Sequence, residues 1–298
     1  MANETFIGWM TSIQQFMEQT LEHVLPASEC APQKLHEAMR YATLQGGKRV
    51  RPLLAFAAGE LVGAAPDNLA RIAAAVEMIH AYSLVHDDMP CMDDDVLRRG
   101  KPTCHVAYDE ATALLVGDAL QTRAFELIST PLPGIAPASQ LEIVRILAHA
   151  SGHAGMAGGQ AIDLASVGLP LTLPELEFMH MLKTGALIRA SVLMGATAGR
   201  ELSPAEKEAL DAFAKRIGLA FQVVDDVLDC EADTATLGKT AGKDAAHDKP
   251  TYVSLLGLSE AKRMAKDLHD QAFAALEGFG PQADRLKQLA DYIVARSF

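Results

Sequence analysis

Aromatic side chains are scarce in this chain, at 5% of 298 residues with one tryptophan, so its core has to be packed from aliphatic residues, Ala and Leu above all. Strand signals are almost absent, which leaves helices to carry the fold. The four cysteines (Cys30, Cys91, Cys104, Cys230) show no paired spacing and fit reduced thiols in a cytoplasmic protein. No uninterrupted apolar run reaches about eighteen residues, so no membrane span is expected. Residues 1–10 lack the basic start and apolar core of a signal peptide. Positive charge is in deficit: the net charge of -12 argues against a nucleic-acid partner and makes an anionic substrate look odd unless metal ions are included. No Gly/Ser/Pro-rich linker, composition shift or fixed-period repeat divides the chain, so residues 1–298 are read as a single domain.

Helical periodicity dominates instead. Apolar residues recur at three and four over 4–25, 33–44, 50–63, 67–89, 103–129, 138–158, 174–195, 204–228, 259–277 and 281–296. The expected fold class is therefore all-α, a single large bundle of about ten or more helices, with a site built from side chains on facing helices around a central cavity. Breaks are expected at Pro131-Leu132-Pro133-Gly134, at Gly168-Leu169-Pro170, and at Ser203-Pro204, where an N-cap precedes a first-turn proline. Residues 231–249 are polar, hold two Gly-Lys pairs and lack apolar period; a loop of that length inside a compact domain is usually functional or disordered.

The densest chemistry lies at residues 86–100, which include Asp87, Asp88, Asp93, Asp94, Asp95, Arg98 and Arg99. Carboxylates so close repel one another unless solvated or neutralised by strong positive charge, and hard divalent cations such as magnesium would neutralise them. Asp87 and Asp93 would stand about 240° apart on an unbroken helix, so they converge only if the backbone leaves the helix between them. Pro90 supplies that departure. The bland alternative is an acidic loop after a core helix. A second set, Asp225 and Asp229, lies four apart near a helix end and so shares a face. By itself that spacing is as well explained by a wet helix face.

The bases complement these acids. Gly46-Gly47-Lys48-Arg49-Val50-Arg51-Pro52 combines glycines that let backbone approach a phosphate with a helix start that offers free amides. Its bland reading is a basic turn before a helix. His80 lies seven residues before Asp87, nearly on the same helix face, although a lone histidine in an apolar helix is more often a satisfied core residue. Lys183, Lys239 and Lys243 are further candidates, and Gln160, Thr184 and Gln222 place polar groups in otherwise apolar helices.

These blocks, in this order over essentially the whole chain, resemble the trans-isoprenyl diphosphate synthases, and most closely those of bacterial farnesyl type. The resemblance implies a helical homodimer that joins isopentenyl diphosphate to allylic diphosphates head to tail. It implies roughly three magnesium ions (Mg2+) per site, with manganese as a substitute, held by Asp87, Asp93 and Asp225 with Asp88 and Asp229 in support. Arg98, Lys183 and Lys239 would then hold the allylic diphosphate; Lys48, Arg51, His80 and Arg99 would hold isopentenyl diphosphate. Thr184, Gln222 and the carbonyl end of a helix would stabilise the allylic cation, and Lys183 joins Thr184 and Gln222 as a catalytic residue. The polar loop 231–249 would close as a lid, with Arg296 as a further candidate. Tyr82, five residues before Asp87, resembles the floor that stops the product at fifteen carbons. A helix reading is less tidy, since Tyr82 points about 140° from Asp87 and Ser83 only about 40°. The alternatives are a geranylgeranyl diphosphate synthase, a terpene cyclase, or a non-catalytic partner subunit.

Overall fold

The computed structural model describes residues 5–44, 46–231 and 250–295. Among them the secondary structure is almost wholly helical, and no helix is long and apolar enough to cross a membrane. They fall into two compact units.

The first unit takes Met1–Arg145 and Met194–Arg200. Helices α1 (Phe6–Val24), α2 (Gln33–Thr43) and α3 (Val50–Leu61) pack about α4 (Pro66–Asp87), whose first residue is the proline that suits a helix start. Ile72, Ala73, Val76, Met78 and Ile79 of α4 are fully buried, and an Ile or Val so placed contributes about 1.5–3 kcal/mol of transfer free energy. After α4, a two-residue hairpin, β1 (Leu97–Arg98) with β2 (Lys101–Pro102), is the small amount of strand that the composition did not announce. The helix expected over 103–129 is two: α5 (Cys104–Ala107) and α6 (Glu110–Ser129), divided because Asp109 caps α6 by accepting the Thr112 N–H at 2.7 Å. Helix α7 (Pro137–Ser151) follows the Pro131–Gly134 break.

The second unit takes Ile146–Leu193 and Glu201–Phe298. The run expected to continue to residue 158 stops at Ser151, and a separate α8 (Met156–Ala165) begins after Gly155. Helix α9 (Leu173–His180) starts from a Thr172–Glu175 capping box. It runs through a π-helical turn, Met181–Gly185, into α10 (Ala186–Thr197). Helix α11 (Pro204–Glu231) is the spine of this unit; Ser203 and Glu206 exchange backbone and side-chain hydrogen bonds at its start, as the Ser-Pro pair suggests. Leu210, Phe213, Ile217 and Val223 of α11 are fully buried, in a unit completed by α12 (Tyr252–Leu256), α13 (Leu258–Ala275) and α14 (Asp284–Val294). The last begins later than its periodicity suggests, because Gly280 at φ 58° and Pro281 hold the preceding turn in a 3-10 form.

Candidate active site

In the first unit, α4 ends at Asp87 and the chain turns back on itself. The Asp93 N–H donates to the Asp87 carbonyl at 2.9 Å and the Asp95 N–H to the Asp88 carbonyl at 3.1 Å. The departure expected at Pro90 therefore occurs, and it brings Asp93 beside the helix end that carries Asp87. Asp88 faces inward, buried, and both its oxygens accept from Arg98, through Nε at 2.8 and 3.0 Å and Nη2 at 2.5 Å. That fork fixes the guanidinium next to the acid turn.

Arg49, Glu77, His80, Asp88, Arg98 and Arg99 line a cleft beside α4. Burial holds the His80 pKa well below its ordinary value, and the charges of Arg51, Arg99, Arg98 and Arg49 depress it further. The imidazole is thus neutral at pH 7 and can donate a hydrogen bond without adding charge. Arg99 donates to the Gly46 carbonyl, and its guanidinium lies so flat against Gly47 that a β-carbon there would stand 2.9 Å from both terminal nitrogens. Glycine at 47 is also set by the backbone, at φ 133°. Lys48 follows on an exposed turn whose carbonyl accepts from Gln14 Nε2 at 2.9 Å, and Arg51 is in the first turn of α3. Lys48, Arg51, His80 and Arg99, expected as one set, all belong to this unit. Cys104 lines the same cleft, but burial pushes its thiol up to about 12, so it stays protonated at neutral pH. Cys91 is exposed.

Tyr82 turns away from Asp87, as the helix geometry requires, and lies towards α6. Its buried hydroxyl accepts from Gln121 Nε2 at 3.2 Å, and its ring meets His86 edge-on at 5.8 Å. Ser83 is half-buried, its hydroxyl donating to the His80 carbonyl at 2.8 Å.

In the second unit, Asp225 and Asp229 lie one turn apart on α11 and share its face. Between them Asp226, buried, accepts from Gln222 Nε2 at 2.8 Å on one oxygen and from the Tyr252 backbone N–H at 2.8 Å on the other. Thr184 donates to Gln222 Oε1 at 3.2 Å, so a line of hydrogen bonds runs from the π-turn to the start of α12. Lys183, in the same π-turn, is anchored by Asp163 at 2.6 Å. The turn packs tightly on α8: a β-carbon at Gly159 would stand 2.1 Å from the Lys183 nitrogen. A π-turn aims successive side chains differently from an α-turn, and such turns recur at functional sites. Lys239, Lys243, Arg296 and the expected lid, apart from its first residue, lie outside the described residues.

The model for polyprenyl synthetases matches residues 32–290, with 87 to 93 and 225 to 229 inside the match. The chain belongs to the polyprenyl synthetase family. Among curated relatives it is 48% identical to the farnesyl diphosphate synthase of Haemophilus influenzae, covering 96% of this chain and 95% of that one. It is also 50% identical to the chloroplastic geranylgeranyl pyrophosphate synthase of Capsicum annuum, over 89% of this chain and 72% of that one. Its fold matches the geranyltransferase from Helicobacter pylori, solved with magnesium and isoprenyl diphosphate, with a TM-score of 0.85 at 34% identity over 99% and 98% of the two chains. The chain is also 50% identical to the farnesyl diphosphate synthase of Escherichia coli, over 88% of this chain and 89% of that one, so the match to farnesyl enzymes runs over more of their length and the farnesyl reading is favoured over the geranylgeranyl one.

A divalent cation suits the donors present. The acids of both motifs offer carboxylate oxygens, the ligands that magnesium prefers, and the turn brings the Asp93 backbone onto that of Asp87. Among the described residues no three acidic, histidine or cysteine side chains already form a cage. A cation held by one or two of these carboxylates would complete its shell with water and substrate phosphate.

The residues that this family member uses to hold its site together were harder to find from sequence. Arg49, Glu77, Asp163, Asp226 and His180 are all buried or paired, and none has a spacing signal of its own. His180 stacks on Tyr252 at 5.5 Å, and burial lowers its pKa to about 4, with Asp163 opposing and Lys183 adding to the shift. Only the polar character of these residues within apolar helices hinted at them.

Proposed function

We propose that this chain is a single polyprenyl synthase domain that joins isopentenyl diphosphate to dimethylallyl and then geranyl diphosphate, releasing (2E,6E)-farnesyl diphosphate. The observation that carries the reading is the pairing of an acid turn with a cation cleft at one helix end. Asp87 and Asp93 adjoin a cleft where Arg98 and Arg99 surround a neutral His80. A terpene cyclase, with one diphosphate to handle, has no use for both.

In this reading Asp87, Asp93 and Asp225, supported by Asp88 and Asp229, hold roughly three magnesium ions, with manganese as a substitute. Bound there, magnesium neutralises the charge that develops on the leaving diphosphate. Arg98, oriented by Asp88, and Lys183, oriented by Asp163, bind the allylic diphosphate, together with Lys239. Lys48, Arg51 and Arg99 bind isopentenyl diphosphate, and His80 donates a hydrogen bond to it. When the allylic carbon–oxygen bond breaks, the Thr184 hydroxyl oxygen and the Gln222 carbonyl oxygen present negative dipole ends to the cation. The isopentenyl double bond attacks, the bond forms, and a proton passes to the departing diphosphate. No side-chain base is needed.

The Tyr82 ring, held by Gln121 and His86, supports a fifteen-carbon limit. Exposed Val106, Leu114 and Leu115 on α5 and α6 offer apolar surface that a homodimer would cover. Four free cysteines support a cytoplasmic location. The test is product analysis with magnesium, excess isopentenyl diphosphate and each of the dimethylallyl, geranyl and farnesyl starters, for wild type and Tyr82→Ala. Farnesyl product that lengthens in the variant supports the reading. Geranylgeranyl product from wild type replaces the fifteen-carbon assignment, and no condensation with any starter points to a partner subunit.

A further inference from the structure

Arg49 stands between Lys48 and Arg51, yet its side chain turns away from the cleft's open face into the protein. It is buried, and its fork reaches three acceptors on three elements: Glu18 Oε1 on α1 at 2.8 Å, Glu77 Oε1 on α4 at 2.6 Å and the Thr43 carbonyl at the end of α2 at 2.8 Å. Burial opposes its charge, and Glu77 and Glu18 more than compensate, so it is held cationic. Its backbone is left-handed, at φ 50°, and so is that of Arg99, at φ 52°. Non-glycine residues keep that conformation only where their surroundings over-determine it. For Arg49 the surroundings are these three bonds. Arg99 in turn bonds to Gly46, the other end of the same loop, and the Glu77 carboxylate attracts both arginines. Glu77 itself is buried on α4, one turn before His80.

We infer that Arg49 and Glu77 are positioning residues for the isopentenyl diphosphate site: the buried pair locks loop 46–49, the start of α3 and the Arg99 turn in the one arrangement that presents Lys48, Arg51, His80 and Arg99 together. The inference rests on the reading of those four residues given above. The pair also supplies a resident anion among crowded cations, which keeps the arginines from repelling one another apart before the polyanion arrives. A lysine cannot replace Arg49, because three donors on one nitrogen do not match acceptors spread over a planar fork.

The experiment compares wild type, Arg49→Lys and the charge-balanced pair Arg49→Met/Glu77→Gln. Melting curves, KM for each substrate and kcat are measured, with direct calorimetry of isopentenyl diphosphate binding. Expected are variants that fold, a KM and Kd for isopentenyl diphosphate raised at least about tenfold, and a KM for geranyl diphosphate and a kcat within about twofold of wild type. Unchanged isopentenyl diphosphate binding in a folded variant overturns the inference, as does a parallel rise of both KM values. Failure of both variants to fold overturns it as well, since the pair is then core and not positioning machinery. Absence of condensation in wild type instead removes the underlying site assignment.

Discussion

The cleft at the end of α4 and the cluster around the π-turn solve opposite electrostatic problems. In the first, three arginines share two acids and surround a histidine that burial and like charge keep neutral. In the second, Lys183 is matched to Asp163, and Asp226 is held by Gln222 and Tyr252, between a half-buried Asp225 and a buried Asp229 on α11. In the proposed reading one region receives an anion directly, and the other places carboxylates that would hold metal ions through which an anion binds.

Removing a carboxylate from the acid turn is the largest perturbation this contrast allows. Asp93→Asn is expected to lower kcat about 10^3-fold while leaving isopentenyl diphosphate binding intact, because charge stabilisation at the leaving group is lost and the cation cleft is not. Steady-state kinetics paired with calorimetry reads both halves. Asp163→Asn should act on the second region alone: with its anchor neutral, Lys183 loses its fixed position, and KM for geranyl diphosphate is expected to rise about tenfold.

A smaller effect sharpens the comparison through stability. His180 is neutral in the fold, with a pKa of about 4, whereas the unfolded chain takes up its proton below 6.5. Stability therefore falls as pH drops through that window, by about 2 kcal/mol at pH 5 from this residue. His80, also depressed, contributes in the same direction. Urea titrations at pH 7 and pH 5 should show a shallower loss for His180→Phe than for wild type; equal losses would remove His180 from the account. The smallest change in rate is expected at Gln121→Leu. There Tyr82 loses the amide that holds its hydroxyl, and a longer product fraction, sized by chromatography, is the readout.

The helices and the two acid motifs were legible because period and charge are local properties. Pro90 announced the turn that folds Asp93 back onto Asp87, and Ser203-Pro204 announced the start of α11. The division at Asp109 was less legible, since the apolar period runs on across a side-chain cap. The π-turn was not legible, since its packing on α8 joins Lys183 to Gly159, more than twenty residues earlier. Arg49 stood in the basic block without a role of its own. Only the distant Glu18 and Glu77 turn it inward. Asp88 read as a supporting metal ligand, and Arg98, ten residues on, takes both its oxygens.

The most direct test of the contrast is calorimetric titration of isopentenyl diphosphate and of a non-ionisable thio analogue of geranyl diphosphate, each with magnesium and with chelator. The account predicts isopentenyl diphosphate affinity within about twofold in both conditions, and analogue affinity lower by at least about 100-fold in chelator. Equal dependence of both ligands on magnesium would contradict it.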